Sequence, residues 1–174
     1  MVRPGIPHAV VDGTGPIEHF VLQIPAPQDR QTVARMPAEL PAVAGESERE
    51  LKAEWGCRVP LTDVKNQNCW LFGARPSPFY SDQMCLAYLS FPDAEAASSD
   101  GHSHRLHLHQ ESWEYYCVLR GTKVLRVEEE LVRISAGEIL AVPPQVKHML
   151  HAREETPFEG ITFRVPRLND KIEF

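Results

Sequence analysis

A chain of 174 residues, 43% hydrophobic and 24% charged, is long enough to bury a core in one compact domain without help from disulfides. Its formal net charge of -6, with no clustered Lys and Arg, argues against a nucleic-acid or anionic-membrane partner. No apolar run reaches the length of a signal peptide or a membrane span, so the expectation is a soluble, cytoplasmic protein whose partner is a small molecule.

Residues 1 to about 65 carry many of the fifteen prolines. Proline fixes φ and removes a backbone donor, so this stretch reads as an irregular N-terminal extension packed on the rest of the chain or on a partner subunit. One short helix is expected in ESERELKAEWG, where Ser47 and Glu50 form a capping box and Gly56 closes the helix. From about residue 66 the texture changes to strand-length runs rich in Val, Ile, Leu, Tyr and Phe. They are NCWLFGA, QMCLAYLSF, HRLHLH, EYYCVLRG, TKVLRVEE, LVRISAG, EILAVP, KHMLHA and FEGITFRVP. So many short strands without intervening helices predict an antiparallel sandwich or barrel. Cys57, Cys69, Cys85 and Cys117 include no CxxC pair, so buried, reduced thiols are expected rather than a zinc knuckle.

Four of the eight histidines fall in GHSHRLHLH, residues 101–109. In a strand alternate side chains share a face, so His107 and His109 point the same way, about 7 Å apart along the chain. Two imidazoles so placed can grip a metal. Gln110 to Trp113 can turn the chain, after which Glu114 begins a new strand and can close on the same ion. The hairpin TKVLRVEEELVRISAG then leads to His148 on a neighbouring strand. Three imidazoles and a carboxylate suit Fe(II), Mn(II), Co(II), Ni(II) or Zn(II), with coordination positions left over for substrate.

The same residues resemble the two motifs of the cupin superfamily. In the first, Gly101 is followed by five residues, His107-Leu108-His109, four residues, Glu114, six residues and Gly121. In the second, Gly137, Pro143 and His148 are in place, while Gln145 stands where the motif has its second glycine and Ala152 where it has asparagine. Fifteen residues, 122–136, separate the motifs. The resemblance covers about residues 85–165. It implies an all-β chain: a jelly-roll β-barrel of two antiparallel sheets, residues 66–174, with His107, His109, Glu114 and His148 around one divalent transition metal in its interior. It also gives Gly121 the role of setting the register that favours Glu114 over Glu111.

Strand parity places Arg105 beside His107 and His109, where its guanidinium would meet a substrate carboxylate or phosphate. Tyr116 shares parity with Glu114 and would hydrogen-bond a substrate or a metal-bound oxygen. His151 falls on the opposite face from His148, and His102 and His104 belong to a loop at the barrel mouth. The leading expectation is an Fe(II) dioxygenase. A metal-dependent isomerase or lyase, using Mn, Ni, Zn or Co, is the alternative, and a non-catalytic binding or structural barrel the third. A homodimer is expected under all three, because an open sheet edge invites pairing.

Overall fold

The computed structural model describes residues 21–22, 67–74, 77, 79–92 and 104–174. Apart from the first two, these lie in the compact unit Pro60–Phe174. The helix expected near residues 47–56 and the remainder of the extension lie outside the described residues.

The described part is all-β, with nine strands: β1 (Gln67–Gly73), β2 (Phe79–Tyr80), β3 (Cys85–Phe91), β4 (His107–His109), β5 (Trp113–Val127), β6 (Glu130–Ser135), β7 (Ile139–Val142), β8 (His148–Val165) and β9 (Lys171–Glu173). No helix among the described residues is long and apolar enough to cross a membrane. Pairing is antiparallel throughout, except for a two-residue parallel contact between β1 and β2. Hydrogen bonds join all nine strands into one network, ordered β2-β1-β3-β8-β4-β9, with β5 pairing β6, β7 and β8.

β5 and β8 each unite two runs that the sequence separates. EYYCVLRG and TKVLRVEE are one strand here, with Gly121 inside β5 at φ 80°. The β5–β8 register shifts just before Gly121, between Val118 and Arg120, and again across it, between Arg120 and Thr122. This is a bulge that bends the strand without ending it. A Cβ at position 121 would lie 2.6 Å from the Glu155 carbonyl oxygen, so glycine alone lets β8 pass this closely. The β5–β6 hairpin is as expected, with Val127 opposite Glu130 and Glu128 at positive φ in the turn.

Three neighbouring strands set the interior in layers. Cys85, Arg164 and Glu114 lie side by side across β3, β8 and β5; next come Ala87, Thr162 and Tyr116, then Leu89, Gly160 and Val118. Phe91 opposite Phe158 closes the series. Leu125, Ile134 and Val142 complete the apolar core around the last layers. The reverse faces of β3 and β8 are also covered, since Leu86, Tyr88 and Phe163 are buried. Cys85 is a buried free thiol, as expected, whereas Cys117 is only half-buried because its side chain takes the outer parity of β5. The side chains of Cys57 and Cys69 lie outside the described residues.

Candidate metal centre

β4 is three residues long and holds its place by pairing on both sides: His107 faces His148 of β8, while His107, Leu108 and His109 face Glu173, Ile172 and Lys171 of β9. The period of two turns both histidines inward, and both are buried. Glu114 is the second residue of β5, and His148 opens β8 at 1% exposure. The four residues bring one ligand atom each to within 4.8 Å of one another. From Glu114 Oε2 the distances are 2.8 Å to His148 Nε2, 3.2 Å to His109 Nε2 and 3.6 Å to His107 Nε2.

The other nitrogen of each imidazole is already engaged. His107 Nδ1 lies 2.7 Å from the Arg105 carbonyl oxygen, and His148 Nδ1 lies 2.9 Å from that of Val146, two residues back in each case. His109 Nδ1 lies 3.1 Å from Asp170 Oδ1. All three partners are acceptors, so each Nδ1 carries the proton and donates it. Nε2 is thereby left to face Glu114, either as a proton donor to the carboxylate or, on a neutral ring, as a lone pair offered to a cation. Three lone pairs and a carboxylate can converge on one point with a cation between them, and without one the rings donate to Glu114. Two ligands about 2.1 Å from an ion are roughly 3 Å apart at a right angle, close to the 2.8–3.6 Å that separate Glu114 Oε2 from the three Nε2 atoms. The donor set therefore fits a divalent transition ion, with the outer hydrogen bonds fixing the tautomers as metal sites require.

Burial by itself would raise the Glu114 carboxyl, but its contacts with His107, His109 and His148 outweigh that and hold it well below the usual carboxylate range. Asp170 obeys the same balance. Burial opposes its charge, yet the backbone N–H groups of Glu111 and Ser112 donate to Oδ2 at 2.9 and 2.8 Å, and together with His109 they hold its carboxyl at about 2. Asp170 thus ties the turn after β4, its metal-facing histidine and the start of β9 to one carboxylate.

Tyr116 is buried beside the centre, its ring edge-on to His148 with centroids 6.1 Å apart. Burial, followed by the charge and hydrogen bond of Glu114, pushes its phenol well above the usual value, so it stays protonated. Lys123 Nζ sits 4.2 Å over the same ring. Arg105 is placed differently from the parity expectation. It precedes β4 rather than belonging to it, its side chain is 68% exposed, and its guanidinium pairs with Glu173 at 3.1 Å; only its carbonyl serves the centre. The guanidinium that does approach is that of Arg164, whose Nη1 lies 3.2 and 3.4 Å from the two ring nitrogens of His109. His151 is exposed, on the reverse face of β8 from His148. His102 lies outside the described residues.

Gln145, which stands in the place of a motif glycine, keeps a glycine-like φ of 69°. Two hydrogen bonds hold it there: its N–H donates to the His109 carbonyl at 2.7 Å, and its Nε2 donates to that of Gln110 at 2.8 Å. The replacement therefore fastens the end of β4 instead of disturbing it.

Asp170 and Arg164 were missed in the sequence. Asp170 lies 61 residues from His109, and nothing local marks it. Arg164 alternates with Ile161 and Phe163, which read as the buried face; both faces of β8 are covered here, so alternation carries no signal.

Residues 98–163 match the family described as Cupin domain. None of the curated proteins compared with it matches the chain. Among solved structures, the nucleoside dehydratase Pac13 from Streptomyces is 18% identical, with 54% of this chain and 70% of that one covered at a TM-score of 0.41. The DMSP lyase DddQ from Ruegeria pomeroyi is 19% identical, with 61% and 50% covered at 0.47. KdgF from Halomonas sp. is 19% identical, with 51% and 74% covered at 0.41. All four candidate ligands lie inside residues 98–163, the stretch that matches the Cupin domain family.

Proposed function

We propose that this chain is a metal-dependent enzyme acting on a small organic substrate, inside a barrel whose strands face one another as the two sheets of a jelly roll. The observation that carries the reading is the convergence of three tautomer-fixed imidazoles and Glu114. A divalent ion held by His107, His109, Glu114 and His148 supplies Lewis acidity toward a substrate oxygen or, as iron, a site for O2.

Between the two chemistries, Tyr116 favours proton transfer. Its hydroxyl is buried and protonated beside a candidate ligand, so it is placed to hold a substrate oxygen or give it a proton as a C–O or C–H bond breaks heterolytically. An isomerase or lyase uses that group directly. The metal can therefore be Mn, Ni, Zn or Co as well as Fe. The homodimer expected from the sequence belongs to the same proposal, and sedimentation equilibrium with and without metal tests it.

The deciding experiment begins with elemental analysis of untagged protein beside His148→Ala. About one equivalent of a transition metal, lost in the variant, is expected from a single site. The loaded protein is then screened for turnover with and without O2. Anaerobic turnover that falls by about 10²–10⁴ in Tyr116→Phe supports the heterolytic reading. Turnover that requires O2 moves the assignment to a dioxygenase, and a metal-free protein after anaerobic reconstitution overturns both.

A further inference from the structure

Among the described residues, Arg164 is a cation in the polar layer of the interior with no anion of its own. Register places it between Cys85 of β3 and Glu114 of β5, so its guanidinium enters the same layer as the candidate ligands. Its Nη1 is nearly equidistant from both nitrogens of His109, at 3.2 and 3.4 Å. In the plane of the ring such a position would collide with the carbon between them, so the group lies over the face of the imidazole. It cannot be using the nitrogen lone pairs, because Nδ1 is engaged by Asp170 and Nε2 is turned toward Glu114.

The remaining neighbours do not neutralise it. The Cys85 thiol that hydrogen-bonds it and the nearby Tyr116 phenol are neutral groups at neutral pH. Glu114 is the anion in register with it, but three imidazoles converge on that carboxylate. Arg164 forms no ion pair among the described residues, and its Nε is buried without an acceptor. An unsatisfied guanidinium out of water is costly. A divalent ion bound next to it would increase the positive excess.

We infer that Arg164 is the receptor for an oxyanion on the substrate, a carboxylate or phosphate group that its planar fork grips from within the layer holding His109 and Glu114. The inference deepens the metal-dependent reading by naming the substrate as a small anion, and it assigns to Arg164 the part that strand parity had given to Arg105. The planar, two-pronged geometry of guanidinium matches both oxyanions; an ammonium in its place keeps the charge and loses the fork.

The test is anion binding by metal-free protein, which separates this inference from the fate of the metal site. Malonate, inorganic phosphate and neutral malonamide are titrated into wild type, Arg164→Met, Arg164→Lys and Arg105→Met, with binding followed by calorimetry and folding by circular dichroism. Malonate or phosphate is expected to bind wild type and Arg105→Met alike, malonamide neither. Affinity should fall about 10- to 100-fold in Arg164→Met, the size of a lost charge-assisted hydrogen bond, and by less in Arg164→Lys, which also serves if the methionine variant does not fold. The tighter of the two anions names the group. Equal binding by wild type and a folded Arg164 variant, equal binding of malonamide, or no anion binding by wild type overturns the inference, whatever the metal analysis finds.

Discussion

The two ends of the interior lined by β3, β8 and β5 are built from the same three strands and differ in polarity. At one end Cys85, Arg164 and Glu114 stand in register, with His107, His109 and His148 closing over them. Six residues along, Phe91 meets Phe158, both 1% exposed, among Val118, Leu125 and Leu150. The middle layers grade between them through Thr162 and Tyr116. Burial of apolar area at the second end supplies the folding free energy. The first end is polar, and its groups are satisfied by each other, by Asp170 and, on our reading, by a metal and an anion. Stability and chemistry are therefore separated along the strand axis, and substitutions at the two ends should be separable by measurement.

The largest expected effect is at the apolar end. Phe158→Ala should cost about 3–5 kcal/mol of folding stability in chemical denaturation, while the folded fraction still carries its full complement of metal by elemental analysis. Loss of metal without loss of stability would break the separation. Next is the bulge that joins the ends. Gly121→Ala forces a left-handed residue, costing roughly 1–2 kcal/mol, and adds the clash with the Glu155 carbonyl, so a melting-temperature drop larger than that strain alone is expected, again without a change in metal stoichiometry.

At the polar end the ordering reverses. Asp170→Asn replaces one acceptor oxygen by a donor that faces backbone N–H groups, releasing His109. Competitive chelator titration should show metal affinity weakened by about 10- to 100-fold, with the stability of the metal-free protein falling by less than in Phe158→Ala. An affinity that does not change would remove Asp170 from the centre. Smallest of all, His151→Ala should stay within about 0.5 kcal/mol of wild type and retain metal, since His151 points to solvent from the strand whose first residue, His148, is a candidate ligand.

The contrast between His148 and Asp170 explains how much of the site was legible. His107, His109, Glu114 and His148 are placed by strand parity and short connections, so spacing along the chain sufficed to group them. The all-β character followed as directly, because the short apolar runs between turn residues admit no helix. Asp170 belongs to the centre only because β9 returns to pair with β4, a contact with no signature near either segment. On our reading the role expected of Arg105 passes to Arg164, for a related reason. Parity predicts direction only inside a strand, and β4 starts at His107, leaving Arg105 free to turn outward to Glu173.

The sequence alone grouped the strand-rich class, the four candidate ligands and the family to which they point, because these depend on residue type and on the period of two that any extended chain must obey. The tertiary structure decided which protons the imidazoles keep, which carboxylate orients His109, which arginine enters the barrel, and that Gly121 bends a strand instead of ending it. Each of these depends on where a distant segment lies in space, and covered faces on both sides of β3 and β8 erase the alternation from which a sequence could have inferred it.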